Sequence, residues 1–393
     1  KEALRVLALA YKVIPIKNAD FSSLEQNLEL YGLFGLIDPP RPEAKMAVRL
    51  CQSAGITPVM ITGDHKNTAC AIASQLGILT SNTTAITGTE LDMLSDVQLQ
   101  EKIKQYTVFA RVSPEHKVRI VKALQAKGEI VAMTGDGTND APALKVADIG
   151  CAMGNSGTDV AKNASDMILM DDNFVTIVSA VKEGRGIYEN IQKAIQFLLS
   201  CNIGEIITIF LAILFHMPSP LAAVQLLWVN LITDSLPAIA LGMEQPEDDT
   251  MKRPPISPNA GLFTPNLIAQ ILIEGTLIGS LTLLSYVLGV KYIGNGTTMA
   301  FAVLSFSQLF HAFNMRSRHS LFQVGFFGNP MMNISFFICS TLQLLVITNP
   351  YLQTIFQVTA LTTYQWLIVI TFSIAPIIFV ELQKHIAKYD KED

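Results

Sequence analysis

The sequence is poor in charge and in cysteine. Only 16% of its 393 residues are charged, whereas 50% are hydrophobic. That balance is too apolar for an ordinary soluble enzyme and too charged for a pure membrane bundle, so we expect two regions in different solvents. The five cysteines lack metal-ligand or disulfide spacing, which favours a reducing compartment for the soluble region. The net charge of −5 gives no support for nucleic-acid binding.

A signal peptide is also missing, and the chain opens at Lys1 in mid-pattern rather than at a methionine. We therefore expect a piece of a longer protein. Residues 1–12 show a helical pattern, whereas 28–37 form an apolar run that predicts a strand. The prolines of Asp38-Pro39-Pro40-Arg41-Pro42 then form a stiff joint, either a hinge or a rigid turn.

From residue 42 to about 172, short apolar runs alternate with helical patterns. This alternation predicts a parallel sheet covered by helices on both faces. The predicted strands are 57–61, 107–110, 130–133, 148–152 and 167–170.

One of these strands leads into the string Met133-Thr134-Gly135-Asp136-Gly137-Thr138-Asn139-Asp140-Ala141-Pro142. Ligands of open α/β sheets bind at the carboxyl ends of strands. Asp136, Asn139 and Asp140 would converge there as hard oxygen ligands, which suit Mg²⁺ held beside a phosphate. A plain strand-to-helix turn is the alternative, but the length of the string favours the ligand site.

A second strand end carries Thr62-Gly63-Asp64. Thr62 and Gly63 suit phosphate binding, and Asp64 would orient the site or a metal-bound water; a simple turn explains the tripeptide equally well. Lys117 lies near the start of a helix capped by Ser113, where a cation is misplaced unless an anion is close. It is a candidate phosphate clamp, with a solvated surface lysine as the alternative.

The second half of the chain contains six long apolar runs, which predict six transmembrane helices. Basic residues flank alternate runs, so the positive-inside rule predicts that the soluble domain, the basic loops and the carboxyl terminus are cytoplasmic. The predicted spans are 194–214, 221–241, 266–288, 299–313, 332–347 and 364–380.

Polar residues one turn apart share a face in each of the first two spans, at Asn202, Glu205, Asn230, Thr233 and Asp234. Two carboxylates at bilayer depth require a proton or a cation between them. Pro237 cannot donate to the carbonyl of Thr233, which adds a free oxygen. The resulting oxygen-rich cage suits Ca²⁺ better than a soft metal. Interhelical hydrogen bonding is the alternative, but it explains Glu205 and Asp234 poorly.

The soluble strings resemble a known family. Thr62-Gly63-Asp64, Ser113-Pro114-Glu115-His116-Lys117 and the string from Thr134 to Leu144 are similar to the phosphorylation domain of P-type ATPases. The string from Asp38 to Glu43 resembles the hinge before that domain. The resemblance implies an α/β haloacid-dehalogenase-like parallel sheet domain, followed by an all-α transmembrane bundle of six helices. In that family an aspartate attacks the γ-phosphate of ATP.

The resemblance also implies roles for individual residues. Asp136 and Asn139 would serve the Mg²⁺ and phosphate site, and Asp140 would support it. Lys117 would contact the phosphate. Thr62 and Gly63 would bind phosphoryl oxygens.

In the membrane, Asn202-Ile203-Gly204-Glu205 and the string from Asn230 to Pro237 resemble the ion-binding helices of type II calcium pumps of the sarco/endoplasmic-reticulum-like group. One implied calcium site uses Asn202, Glu205, Thr233 and Asp234, and a second uses Asn230 and Asp234. Gln308 stands where that group has a glutamate ligand, so it would offer an oxygen without a charge. Glu274 matches no ligand of the group, and we expect it to be buried.

Two strings of the family are missing: the Asp-Lys-Thr-Gly-Thr of the nucleophile and the Thr-Gly-Glu-Ser of the actuator loop. We therefore expect the carboxyl-terminal portion of a pump, which forms no phosphoenzyme by itself. The expected domains are the end of the nucleotide-binding domain (1–37), the phosphorylation domain (38–173), a stalk helix (174–193), six transmembrane helices (194–383) and a cytoplasmic tail (384–393).

The predicted function is an ATP-driven pump that exports Ca²⁺ from the cytoplasm with proton counter-transport through an aspartyl-phosphate. Its partners would be ATP, Mg²⁺, the lipid bilayer of a bacterial plasma membrane or a eukaryotic endomembrane, and the amino-terminal remainder of the pump. A sodium- or potassium-type pump is one alternative. A membrane-anchored phosphatase or a non-catalytic fragment is another, although no Asp-x-Asp nucleophile precedes Thr62.

Overall fold

The computed structural model describes residues 5–14, 25–36, 39–257 and 260–389. The chain forms two compact units. The first comprises Lys1–Val181 with Met251–Pro258, and the second comprises Lys182–Thr250 with Asn259–Asp393. Of the predicted proline-rich joint, Asp38 lies outside the described residues.

The first unit opens with an antiparallel ribbon of two strands, β1 (Arg5–Tyr11) and β2 (Glu29–Leu36). The helix predicted over 1–12 is therefore wrong within the described residues, and residues 1–4 lie outside them. The helical spacing of the leucines was outweighed by pairing, because a second apolar run 18 or more residues later supplies the ladder hydrogen bonds. Tyr11 and Tyr31 also contact edge to face across the ribbon, with ring centroids 6.0 Å apart.

The remaining strands of this unit form two parallel ladders of three strands each, rather than the one continuous sheet expected from the alternation of elements. One ladder has the order β3 (Met60–Thr62), β5 (Tyr106–Ala110), β4 (Thr84–Thr87); the other has the order β6 (Ala132–Gly135), β7 (Ile149–Met153), β8 (Met167–Leu169). Strand β4 lies in a stretch whose polar composition did not predict a strand. Side-chain packing connects the ladders, since Ile61 packs against the buried cluster that contains Met133.

Seven helices accompany the described strands of this unit, and local signals set their limits. The Ser113 side chain accepts from the backbone N–H of His116 at the start of the fifth helix, and Gly77 at φ 82° ends the second. The helices are α1 (Pro42–Ser53), α2 (Lys66–Leu76), α3 (Gly88–Asp92), α4 (Asp96–Lys102), α5 (Pro114–Gln125), α6 (Ala141–Val146) and α7 (Asp159–Ala164).

The second unit is helical. It begins within α8 (Phe174–Leu214), a single helix of 41 residues. The following elements are α9 (Ala223–Trp228), a π-helical segment (Val229–Asp234), α10 (Ser235–Gly242), α11 (Pro265–Leu288), α12 (Gly296–Asn314), α13 (Leu321–Val324), α14 (Pro330–Thr348), α15 (Pro350–Phe356) and α16 (Thr363–Tyr389).

Among the described residues, five helical stretches are long and apolar enough to cross a membrane. They correspond to five of the six predicted spans. The fourth predicted span, 299–313, is also helical and forms most of α12, but it falls outside that set.

Glycines bring α8 and α11 into close contact. A Cβ atom at Gly279 would lie 2.6 Å from the carbonyl oxygen of Gly204, and one at Gly275 would lie 2.7 Å from that of Ser200. The hydroxyl of Thr208 donates to the carbonyl of Gly204 at 2.7 Å and lies 3.2 Å from that of Gly279. Small residues at such contacts allow helix backbones to approach closely in apolar bundles.

Candidate functional site

The loop after β6 is organised by one buried carboxylate. Asp140 is 6% exposed, and its Oδ2 accepts from the backbone N–H groups of Asp136 at 3.2 Å and Gly137 at 3.1 Å. Its Oδ1 accepts from the ammonium of Lys117 on α5. Both carboxylate oxygens are thus engaged with the protein, so Asp140 holds the loop in shape.

Unlike that of Asp140, the side chains of Asp136 and Asn139 in the same loop are free of contacts with the described part of the chain that would occupy their oxygens. Both are exposed, and neither side chain has a hydrogen-bond partner among the described residues. The backbone of Asp136 is fixed on both sides, because its carbonyl accepts from Thr158 N–H at 2.8 Å. A carboxylate and an amide oxygen on a rigid turn at a strand end suit a hard cation such as Mg²⁺.

The loop after β3 has its own internal hydrogen bonds. The hydroxyl oxygen of Thr62 accepts from Asp64 N–H at 3.1 Å and lies 3.1 Å from the Asp64 carboxylate. Backbone hydrogen bonds from Arg111 to Asp64 and from Val112 to Thr62 tie this loop to the segment before α5. The described contacts include no direct hydrogen bond from the Thr62–Asp64 turn to Asp136 or Asn139.

Gly63 is exposed, and a Cβ atom there would meet nothing within 4 Å. The turn is therefore open to solvent on the Cβ side of Gly63. Lys117 differs from the predicted free clamp in one respect: its ammonium is paired with Asp140, so one partner already fixes its position.

Sequence analysis missed an anionic turn in the same unit. The carboxylate of the half-buried Asp172 accepts from the backbone N–H groups of Asn155 at 2.9 Å and Ser156 at 2.7 Å. These hydrogen bonds, that from Asn155 first, lower the pKa of Asp172 below its usual range. The guanidinium of Arg41 donates to the Asp172 carbonyl at 3.0 Å. The positive φ of Asp172, 50°, is a local signal that only a structure reveals.

In the second unit, four of the residues predicted to bind cations form one network. Asn230 donates to Glu205 Oε2 at 3.1 Å, and Gln308 donates to Glu205 Oε1 at 3.5 Å. The Thr233 hydroxyl lies 3.5 Å from Gln308 Oε1 and donates to the Val229 carbonyl at 2.9 Å. Three helical regions of the bundle therefore converge on the Glu205 carboxylate.

Asp234 is the exceptional member of this group. It is 1% exposed, and neither carboxylate oxygen has a hydrogen-bond partner by geometry among the described residues. The Glu205 carboxylate and the Cys201 thiol lie close enough to interact with it electrostatically. A buried carboxylate without a partner is costly unless it takes up a proton or a cation.

Irregular backbone accompanies these side chains. The π-helical segment Val229–Asp234 separates α9 from α10, and the Ser235 hydroxyl donates to the Asn230 carbonyl at 3.0 Å. Sequence analysis expected the interruption at the carbonyl of Thr233, four residues before Pro237, and that carbonyl lies within the segment. Such π turns are frequent at functional sites because they redirect backbone and side-chain oxygens.

Asn202 is the predicted ligand that the structure does not connect to the network. Its amide donates to the Leu198 carbonyl of its own helix at 2.8 Å. Sequence analysis missed Cys201, whose buried thiol lies beside Asp234. Its position directly before the predicted ligand Asn202 is the feature of the sequence that could have indicated a place near the network. Together we call Asn202, Glu205, Asn230, Thr233, Asp234 and Gln308 the cation cage.

Comparison with known proteins adds a family to this geometry. Residues 218–386 match the carboxyl-terminal region of cation-transporting ATPases, and residues 7–148 match haloacid dehalogenase-like hydrolases. Calcium-transporting ATPase 1 of Bacillus cereus is 51% identical over 404 residues, which cover 98% of this chain and 45% of that protein. The chain belongs to the P-type cation-transporting ATPases.

Other relatives of this P-type ATPase chain carry similar names. The calcium-transporting ATPase of Bacillus subtilis is 49% identical across 95% of this chain and 43% of its own length. The endoplasmic reticulum calcium ATPase srcA of Aspergillus fumigatus is 39% identical across 92% of this chain and 41% of its own length. The chain therefore spans less than half the length of these relatives. The predicted family and haloacid-dehalogenase-like fold are confirmed, and together with the five candidate spans among the described residues the family makes this a membrane protein.

Proposed function

We propose that this chain supplies the phosphate-handling loops and the cation-binding helices of an ATP-driven pump that exports Ca²⁺ from the cytoplasm in exchange for protons. The observation that carries this proposal is Asp234. It is a buried carboxylate without a hydrogen-bond partner among the described residues, and it lies beside the hydrogen-bonded network of Glu205. The names of the relatives support calcium as the transported ion. The aspartate that would accept the phosphoryl group lies outside this chain.

At the phosphate site, Asp136 and Asn139 would hold Mg²⁺, which neutralises charge on the phosphoryl group when bound. Thr62 would offer its hydroxyl and Gly63 its backbone N–H to phosphoryl oxygens. Asp64 would orient the site or a metal-bound water. Lys117, held in place by Asp140, would direct its ammonium at the developing negative charge.

At the cation cage, the protein oxygens would replace the hydration shell of Ca²⁺. The carboxylates of Glu205 and Asp234 supply two negative charges, and Asn202, Asn230, Thr233 and Gln308 supply neutral oxygens. Gln308 contributes no charge, so the cage balances a single divalent cation. When that cation leaves, protons taken up by the carboxylates would prevent two buried like charges from facing each other.

We further propose that the soluble unit and the basic connectors face the cytoplasm, as the distribution of lysine and arginine indicates. The bilayer belongs to a bacterial plasma membrane or a eukaryotic endomembrane. The amino-terminal remainder of the pump would supply the nucleophile, the actuator loop and most of the nucleotide site. Helix α8 carries residues of both units and would transmit changes between the two chemistries.

The test is Asp234→Asn in the full-length pump, with phosphoenzyme formation from ATP measured against calcium concentration. We expect calcium-dependent phosphorylation to be abolished, because the cage loses a charge and gains an amide that cannot balance a divalent ion. Asp248→Asn, at an exposed carboxylate between the second and third spans, is the matched control and should behave as wild type. Unchanged calcium dependence in Asp234→Asn, or activation by Na⁺ or K⁺ in place of Ca²⁺, contradicts the proposal.

A further inference from the structure

A buried acid–base pair lies near the cation cage but outside it. Glu274 on α11 is 3% exposed, and His311 on α12 is completely buried. His311 Nε2 lies 3.5 Å from Glu274 Oε2. Neither residue is among the proposed calcium ligands, and the proposed transport cycle gives neither of them a role.

Neutral groups hold this pair in place. The side-chain amide of Gln196 donates to both oxygens of Glu274 at 3.0 Å. The His311 ring stacks on Phe197 with centroids 6.3 Å apart, and its Nε2 lies 3.2 Å from the Ser200 hydroxyl. The close approach of α11 to α8 at Gly275 brings Glu274 within reach of this helix.

The hydrogen-bond network assigns the histidine tautomer. The Ser200 hydroxyl already donates to the Phe197 carbonyl at 2.9 Å, so its oxygen can only accept from His311. The Nε2 atom therefore carries a hydrogen. The other ring nitrogen, Nδ1, is buried without a partner among the described residues. In a neutral imidazole that nitrogen is a vacant position for a proton.

Charge decides how many protons the pair holds. An ionised Glu274 beside a neutral His311 leaves one negative charge inside an apolar bundle, which is costly. One added proton, on either the carboxylate or the imidazole, makes the pair electrically neutral as a whole. The pair is therefore suited to bind one proton.

The same two helices carry the cation cage. Gln308 precedes His311 by three residues on α12, a rise of about 4.5 Å, and Glu205 follows Ser200 by five residues on α8, a rise of about 7.5 Å. At such separations a divalent cation repels a further positive charge strongly in a medium of low dielectric constant. Calcium in the cage and a proton on the pair should therefore exclude each other.

We propose that Glu274 and His311 form a proton-binding site, which takes up one proton when calcium leaves the cage and releases it to water when calcium binds. The inference rests on the proposed function as a calcium pump and names a residue pair for one counter-transported proton, in addition to those on the cage carboxylates. Other titratable groups that interact electrostatically with Glu274 are Cys201 on α8 and Lys384 on α16. Cys201 also interacts electrostatically with Asp234 and Glu205 of the cage, and Lys384 with Glu381 and Glu247.

The experiment measures protons released per calcium bound by the purified full-length pump, in weakly buffered solution with a pH indicator between pH 6 and pH 8. We expect Glu274→Gln to bind calcium but to release about one proton fewer than wild type, because the linked proton is gone. The calcium affinity of this variant should also depend less steeply on pH than that of the wild type. For each pH unit, the change in affinity should be about tenfold smaller. Glu274→Asp should restore the release.

Further variants keep the inference testable if Glu274→Gln does not fold. His311→Gln should show the same deficit, and the double variant should show no larger one, since one proton is shared. Thr282→Val removes another buried polar group from α11 and should release protons as wild type does. Normal release from Glu274→Gln or from His311→Gln overturns the inference. Failure of the pump proposal is seen separately, as calcium-dependent phosphorylation that survives Asp234→Asn.

Discussion

The two candidate sites of this chain are built on opposite principles. In the first unit, the groups offered to a ligand, Asp136 and Asn139, are exposed and unpaired, while the buried carboxylate of Asp140 is fully engaged. In the second unit, the two ligand carboxylates Glu205 and Asp234 are buried, although Asn230 is exposed, and neither oxygen of Asp234 has a hydrogen-bond partner among the described residues. A ligand that arrives from water needs rigid loops with free side chains. A cation that must lose its water needs buried oxygens that only the cation or a proton satisfies.

If the first site depends on the ion pair between Lys117 and Asp140, removing the lysine side chain should disable the site. We expect Lys117→Ala to lower the rate of phosphoenzyme formation in the full-length pump by at least about 100-fold, a typical cost of losing one charge-stabilising group. The buried Asp140 carboxylate would also lose its cationic partner and keep only the hydrogen bonds from Asp136 and Gly137. Rapid-quench measurement of phosphorylation by ATP tests this expectation.

The matched control is Lys122→Ala, which removes an exposed lysine from the same helix. It should phosphorylate at the wild-type rate, because no described contact ties its ammonium to the loop. Equal rates in the two variants would mean that the Lys117–Asp140 pair serves folding alone. The first site would then not depend on this ion pair for phosphorylation.

The second unit depends on close helix packing to bury its polar groups. Gly279→Ala would place a methyl group 2.6 Å from the Gly204 carbonyl, so the helices must separate. We expect a loss of about 1–3 kcal/mol of stability, as for other overpacked sites. The loss should appear as a lower thermal unfolding midpoint of the pump in detergent.

Gly242→Ala serves as the control for this packing effect. A Cβ atom at Gly242 meets nothing within 4 Å, and alanine favours a helix over glycine by about 1 kcal/mol. Its unfolding midpoint should be unchanged or slightly raised. A midpoint in Gly279→Ala equal to that of Gly242→Ala would show that the contact between α8 and α11 is loose.

Local signals in the sequence located both sets of polar residues, because strand ends, caps and long apolar runs depend on neighbours in the chain. The sequence did not reveal which strands pair. The partner of β1, the division into two ladders and the strand β4 depend on tertiary contacts. It also did not reveal that Cys201 lies beside Asp234, or that Glu274 meets His311, since these contacts join residues from different helices.

The smallest expected effect concerns the half-buried Asp172, and it tests whether hydrogen bonds near the surface matter in the first unit. The pKa of Asp172 is lowered in the folded state by the N–H groups of Asn155 and Ser156. Its contribution to stability is therefore present above the unfolded pKa of about 3.9 and is lost as the pH falls through the lower folded value.

Asp172→Asn should accordingly lower the unfolding midpoint slightly near neutral pH, because the neutral amide is a weaker acceptor than the carboxylate. The difference from wild type should shrink as the pH falls below about 4. Glu101→Gln, at an exposed carboxylate on α4 without a described hydrogen bond, should show no such pH-dependent difference. A deficit in Asp172→Asn that stays constant across this range would contradict the assignment of the effect to the charge of Asp172.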